Sequence, residues 1–280
     1  MFSLVERFAE RSSYTLGARV MLACTGAAIL WHVFVVSSNV PFLYLELADL
    51  PLRASKVHLL HGIWTVAALG LITTRFTREC TFVALVVYLL DASAGLHNAG
   101  AHIAQLTLFY ALLLDEKLMR GEQRSGVRVF LHNVGVAAIT VQLIIVYLNT
   151  LIWKLTGPNN LWLDGTVLFY VVNLQGFSLT WARPLLSIPL VTYTVTYLTL
   201  AYQLSFVPLL FTRWHGLSVV AGVGFHVGIA LALGLVPFGL IMTGLVLLTV
   251  KDEGYRAAKK RLAAFVTVKP TRQAVKTSKP

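Results

Sequence analysis

Long apolar runs separated by short polar segments dominate the first 250 residues of the chain. A helix needs about 20 residues to cross roughly 30 Å of hydrocarbon. Eight runs approach that length, and they cover residues 18–38, 57–74, 79–96, 101–115, 129–153, 185–210, 216–234 and 236–250. The runs are rich in Leu, Val and Ala and lack the strict alternation of a membrane β-barrel. The pattern therefore predicts an all-α fold with about eight transmembrane helices.

Two longer connections interrupt the apolar pattern. Residues 39–56 place prolines and acidic residues among aromatic and aliphatic ones, which is typical of a segment lying along the bilayer surface. Residues 155–184 form the second connection, and the stretch 162–170 within it is amphipathic and aromatic. We expect this stretch to fold back as a re-entrant or lid segment over the end of the fifth run.

Composition narrows the class of protein. The chain has 57% hydrophobic and 12% charged residues, with a mean hydropathy of +0.73. A soluble surface could not cover so much apolar material, so we predict an integral membrane protein. Its membrane domain spans residues 1–250, and residues 251–280 form a basic tail with a short interfacial helix followed by disorder.

Lysine and arginine are distributed unevenly between the predicted loops. With a cytoplasmic N-terminus, 19 of the 23 basic residues fall on the cytoplasmic side. The other four are Arg53, Lys56, Lys154 and Arg183. This asymmetry predicts a multi-pass protein of the cell membrane with both termini in the cytoplasm. The net charge of +11 then faces membrane lipid, so we expect no nucleic-acid partner.

Polar side chains inside the apolar runs are costly and are candidates for function. Most of them fall in the extracytoplasmic half of the predicted topology, namely His32, His58, His61, Asp91, His97, Asn98, His102, Asn149 and Lys154. This clustering predicts a polar pocket that opens outward. His58 and His61 can bind a metal or simply be solvated, and we assign no metal site.

Lys154 has two interpretations. It follows the fifth apolar run and precedes Leu-Thr-Gly-Pro, so it can be an interfacial lysine that extends its ammonium to water and complements the helix dipole. Covered by the 162–170 segment, it can instead lose its proton and act as a base. His226 likewise has a structural alternative, as a histidine packed between helices, and residues 97–102 can be a turn or part of a site.

Three groups of residues carry a resemblance to a known family. They are Tyr147…Lys154-Leu155…Trp162-x-x-Gly165, Phe225-His226…Gly234-Leu-Val-Pro-Phe238, and Asn98-Ala-Gly100-Ala-His102…Phe109-Tyr110. In order and spacing they resemble the motifs of the HTTM (horizontally transferred transmembrane) family. That family includes vitamin K-dependent gamma-carboxylase and the bacterial sporulation-delaying protein B group. The resemblance extends over most of residues 1–250.

The resemblance implies a role for several residues. Lys154 matches the lysine that acts as a base toward a reduced, vitamin K-like quinone, and His102 or Asn98 corresponds to the polar pair beside that quinone. We therefore predict Lys154 and His102 as catalytic. The quinone-binding candidates are Asn98, His97, Trp153, Trp162 and His226. Ala101 departs from the family pattern, where an acidic residue is usual.

The chain lacks the large lumenal domain of the carboxylase and looks more like the sporulation-delaying protein B group. We therefore expect a membrane enzyme that matures an exported precursor peptide, a secreted toxin, together with a small single-helix membrane partner. A non-enzymatic scaffold or immunity protein that binds the peptide is the first alternative. A histidine-rich metal or proton pathway is the second. If the outer histidines serve a shared pocket, His97 or His102 should approach Lys154, with His226 lining the same cavity from a later helix.

Overall fold

The computed structural model describes residues 9–10, 12–43, 50–93, 99–158, 160–174 and 179–266. For residues 36, 38–43, 50–57, 91–93, 99, 265 and 266 it describes the backbone alone. Within these ranges the regular secondary structure is helical and contains no β-strand. The all-α fold predicted from the apolar runs is therefore confirmed for the described part of the chain.

The helices follow the apolar runs closely. In chain order they are α1 (Thr15–Leu43), α2 (Leu50–Thr73), α3 (Thr77–Ser93), α4 (Ala99–Ala111), α5 (Glu116–Met119), α6 (Val127–Thr156), α7 (Val167–Asn173), α8 (Ala182–Leu186), α9 (Pro189–Leu210), α10 (His215–Leu233), α11 (Val236–Leu248) and α12 (Asp252–Val266). A 3-10 turn, Asn160–Trp162, lies between α6 and α7. Each of the eight predicted runs contains one long helix, and α5, α7 and α8 occupy the connections.

Some boundaries differ from the prediction. The helix of the run 185–210 begins later than predicted, because Pro189 occupies the first turn of α9, after α8 has ended at Leu186. The helix predicted at the start of the tail is present as α12, whereas residues 267–280 lie outside the described residues. Of the predicted surface segment 39–56, both ends are helical and residues 44–49 lie outside the described residues.

Among the described residues, three helical segments are long and apolar enough to cross a membrane by length and composition. They are Thr15–Val35, Val127–Thr156 and His215–Leu233. Two shorter apolar segments are His58–Thr73 and Val236–Leu248. Large apolar side chains are exposed on the outer faces of several helices, including Phe34, Val66, Leu198 and Val220. These features are compatible with a membrane protein, and the full set of eight crossings stays a prediction.

Helix α11 lies at the centre of the bundle. Its sequence is apolar on every side, and most of its residues are buried. It packs against α1 and α10 and also contacts α4 and α6. At 13 residues it rises about 20 Å, which is less than the thickness of hydrocarbon. Because most of its residues are buried against neighbouring helices, those helices rather than lipid cover α11.

One end of the bundle joins the first and last described helices. The Asp252 carboxylate accepts hydrogen bonds from Thr15 Oγ1 at 2.7 Å and from Leu16 N at 2.8 Å. Thr15 also lines a groove of about 490 Å³ together with Arg124 and Arg256. The starts of α1 and α12 and the basic loop before α6 therefore meet at this end.

Candidate functional site

Lys154 lies in the last turn of α6, at the end opposite the basic loop. The 30 residues of α6 rise about 45 Å, which separates Lys154 from Arg124 by most of the length of the bundle. The helix ends at Thr156 because Gly157 is extended and precedes Pro158. This local sequence places a cation at a helix C-terminus, where the helix dipole favours positive charge.

Two neutral groups contact the Lys154 ammonium. Its Nζ donates a 2.9 Å hydrogen bond to Gln203 Oε1 on α9, and it lies 4.0 Å from the centroid of the Trp162 ring. Gln203 is buried, and Lys154 is half-buried. Among the described residues, no carboxylate forms an ion pair with Lys154. An amide dipole and an aromatic face therefore hold this charge.

The segment 160–165 covers Lys154 because it is attached to α9. The Tyr197 hydroxyl donates a 2.8 Å hydrogen bond to Leu163 O. Gly165 has a φ of +76°, and a Cβ at this position would overlap the Tyr193 ring. A glycine is thus needed both for the backbone conformation and for close approach to α9. The segment expected to fold back over Lys154 places Trp162 directly on it.

A hydrogen-bonded group of three side chains lies two turns earlier on α6. The hydroxyl of Tyr147 lies 2.6 Å from His226 Nε2 on α10 and 3.0 Å from the Tyr202 hydroxyl on α9. The Tyr147 ring stacks on Phe206, with 4.0 Å between ring centroids. Tyr147 and His226 are both buried. The two tyrosines and the histidine thus connect three helices through polar atoms inside an apolar core.

Tyr202 and Gln203 are adjacent on α9. The contact of Lys154 with Gln203 therefore lies next to the hydrogen-bonded group of Tyr147, Tyr202 and His226. A Cβ on Gly222 of α10 would overlap the Tyr202 hydroxyl, so this glycine provides the space in which Tyr202 reaches Tyr147. We call the whole group the Lys154 site, and its members are Lys154, Trp162, Gln203, Tyr147, Tyr202 and His226.

The Nδ1 nitrogen of the His226 imidazole differs from Nε2 in its surroundings. Nδ1 is buried and has no hydrogen-bond partner among the described residues. An unpaired polar atom in an apolar interior costs free energy unless a water molecule or ligand pairs with it. The imidazole therefore has one nitrogen engaged by Tyr147 and one buried nitrogen without a partner among the described residues.

The structure brings some of the predicted site residues together and not others. Lys154 and Trp162 contact each other, and His226 contacts Tyr147, two turns before Lys154 on α6. His102 is an exposed residue of α4 and is not among the residues that contact Lys154. Trp153 is exposed and contributes no side-chain contact to Lys154. The predicted residues His97 and Asn98 lie outside the described residues.

The paired histidines of α2 have different surroundings. His61 is buried, and its Nδ1 lies 2.9 Å from Ser37 Oγ, whereas His58 is exposed. Across the described residues, no group of three or more His, Cys, Asp or Glu side chains is arranged to hold a metal ion.

The sequence-based list of site residues missed Gln203, Tyr202 and Tyr147. Gln203 is the sole amide or charged side chain in the apolar run 185–210, so the cost of an amide in hydrocarbon was an available signal. Tyr147 belongs to the resembling motif, but nothing in its spacing indicates His226 as its partner. Tyr202 is one of several tyrosines in a mostly apolar helix, and the sequence does not distinguish it.

Comparisons with known proteins return no relative. The chain matches no family model, no curated protein and no solved structure. The resemblance to the HTTM family therefore rests on the residues quoted above.

Proposed function

We propose that the chain is a multi-pass enzyme of the cell membrane, with both termini in the cytoplasm and the Lys154 site near the extracytoplasmic surface. The three long apolar helices support this placement. The charge distribution along α6 also supports it, because exposed Arg124 and Arg128 flank its start and Lys154 lies at its other end. Basic residues favour the cytoplasmic side of a membrane.

In this proposal Lys154 is the general base. The observation that carries it is the contact of Lys154 Nζ with Gln203 Oε1 and the Trp162 ring, without a carboxylate among the described residues. A carboxylate would bind the proton of the ammonium firmly, whereas an amide and an aromatic ring allow the neutral amine to form. The neutral Nζ then accepts a proton from a weakly acidic group of the substrate. Gln203 Oε1 and Trp162 stabilise the ammonium that results.

A reduced quinone of the vitamin K type fits the side chains of the Lys154 site. When bound, it would supply a weakly acidic phenolic hydroxyl and two electrons, with molecular oxygen as their acceptor. The site offers an amine to accept the hydroxyl proton, and the unpaired Nδ1 of His226 can hydrogen-bond an oxygen or a hydroxyl. Trp162 and Phe206 provide aromatic surface beside these groups.

Tyr147 and Tyr202 orient the His226 imidazole through hydrogen bonds. The 2.6 Å contact between Tyr147 and His226 fixes the orientation of the imidazole, so that Nδ1 points away from Tyr147. Tyr202 fixes Tyr147 in turn through the 3.0 Å contact of the hydroxyls. We assign Tyr147 and Tyr202 as positioning residues for this reason.

The resemblance to the sporulation-delaying protein B group extends the proposal to the substrate and partner. The reaction would modify a peptide group of an exported precursor, a toxin, together with a small single-helix membrane protein. The extracytoplasmic location proposed for Lys154 supports an exported substrate, because such a peptide reaches that side of the membrane.

The decisive experiment compares Lys154→Arg with the wild-type protein, purified and supplied with vitamin K hydroquinone and oxygen. Arginine keeps the charge but does not lose its proton at neutral pH. We expect Lys154→Arg and Lys154→Ala to abolish oxygen uptake and the oxidised product, while Lys117→Arg, an exposed lysine at the other end of the bundle, leaves both unchanged. Near wild-type turnover by Lys154→Arg would refute the base and favour the peptide-binding alternative.

A further inference from the structure

Helix α12 leaves the bundle after its first turn. Asp252 binds the start of α1, and the Tyr255 hydroxyl donates a 2.8 Å hydrogen bond to Leu247 O at the end of α11. Beyond these anchors, every residue from 256 to 264 is exposed. The anchored turn therefore sets where α12 begins, and the rest of the helix has little cover from the bundle.

The exposed part of α12 is amphipathic. Residues Tyr255, Ala258 and Leu262 follow the i, i+3, i+7 spacing that forms one stripe along a helix. Leu262 is 66% exposed, so the stripe is uncovered at its outer end. At 100° per residue, Lys259 and Arg261 lie on either side of this stripe. An apolar stripe flanked by basic residues is typical of helices that lie in a membrane interface.

The charge of this part of the helix has one sign. Residues 254–264 contain Arg256, Lys259, Lys260 and Arg261 and no acidic residue. None of these four side chains forms an ion pair within the described residues. A 15-residue helix exposed to water on all sides is marginally stable by itself. An anionic surface would neutralise the charge and cover the stripe together.

We propose that α12 binds the headgroups of anionic phospholipid, with Ala258 and Leu262 toward the acyl boundary and Tyr255 held at the end of α11. The inference rests on the proposed membrane placement, because α12 follows α11 by three residues and is bonded to its end. A protein partner is the other possible occupant. The bilayer is favoured because the membrane surface lies where α11 ends and carries the complementary charge.

The test uses the full-length protein with Cys24 and Cys80 replaced by alanine and a bimane label on Leu262→Cys. The protein is reconstituted in vesicles of brominated phosphatidylcholine, with or without brominated phosphatidylglycerol. We expect at least threefold stronger quenching of the label when phosphatidylglycerol is present. A label on Ala257→Cys, on the opposite side of the helix, should be quenched less.

A variant with reversed charges on α12 tests whether the basic side chains bind the anionic headgroups. Lys259→Glu, Lys260→Glu and Arg261→Glu together should remove the preference for phosphatidylglycerol, since each basic residue near an anionic surface strengthens binding about fivefold. The double change Lys259→Arg and Lys260→Arg, with Arg261 kept, preserves all three positive charges and should preserve the preference. Equal quenching in both lipids, or no quenching at Leu262→Cys, would overturn the proposal.

A label on Val220→Cys, an exposed residue of α10, separates this result from the membrane placement. Quenching at this position in both lipids shows that the bundle is inserted, so a negative result at Leu262→Cys then concerns α12 alone. Absence of quenching at Val220→Cys would contradict the membrane placement and the lipid proposal together. The catalytic role of Lys154 is tested separately by its own variants.

Discussion

Lys154 and Gln203 lie 49 residues apart in the sequence, and Lys154 Nζ donates a 2.9 Å hydrogen bond to Gln203 Oε1. The bond joins the last turn of α6 to the middle of α9. It also explains how a lysine can occupy an apolar location without a carboxylate, because the amide oxygen and the Trp162 ring both face the ammonium.

Replacing the Gln203 amide by a carboxylate should lower the activity and leave the thermal stability nearly unchanged. In Gln203→Glu the new carboxylate would pair with Lys154 and hold its proton, so we expect hydroquinone-dependent oxygen uptake to fall about 100-fold. The melting temperature in detergent should change little, because an ion pair replaces a hydrogen bond. Gln123→Glu, in an exposed loop, is the control. Retained activity in Gln203→Glu would argue against proton transfer to Lys154.

The buried hydroxyl of Tyr147 should contribute to stability. Tyr147→Phe keeps the ring on Phe206 but leaves His226 Nε2 without its 2.6 Å partner. We expect a loss of about 1–3 kcal/mol in the free energy of unfolding, the usual cost of an unpaired buried polar group. Tyr170→Phe, on an exposed tyrosine, should lose less than about 0.5 kcal/mol. Equal losses would show that the hydroxyl contact is unimportant.

Gly165 provides a test of the segment that covers Lys154. Gly165→Ala introduces both an unfavourable positive φ and an overlap with Tyr193. Gly121→Ala is a matched control, because Gly121 has a φ of +88° but open space around its Cβ position. We expect Gly121→Ala to cost about 1 kcal/mol of stability and Gly165→Ala clearly more. Similar losses, measured by thermal unfolding, would indicate that contact with α9 does not hold the segment.

The proposed topology predicts which side of the membrane each end of the chain faces. In cells that express a variant with Cys24 and Cys80 replaced by alanine, Asn160→Cys should react with a membrane-impermeant thiol reagent. Ser278→Cys should react after the cells are opened and not before. The reverse pattern, with protection at residue 160 and reaction at residue 278 in intact cells, would show that the chain is oriented the other way.

The sequence determined the all-α class because lipid offers no partner for backbone N–H and C=O groups, so long apolar runs form helices. It also placed Lys154 at a helix end, because Gly157 and Pro158 terminate α6. Trp162 was a candidate neighbour of Lys154 because it begins the amphipathic, aromatic segment that was expected to fold back over this lysine.

Which faces of the helices meet depends on packing between helices that are distant in the sequence. Helix α9 has no continuous polar face and α11 is apolar on every side, so periodicity does not indicate which side chains point toward a neighbour. Gln203 therefore becomes the partner of Lys154, and His226 the partner of Tyr147 from 79 residues away, through packing that no local pattern encodes. His102, which the resemblance implied to lie near the quinone, is an exposed residue of α4, and its role as a catalytic residue stays a prediction. Helix rotation within the bundle is set by close contacts such as Gly222 with Tyr202, and these depend on the whole fold.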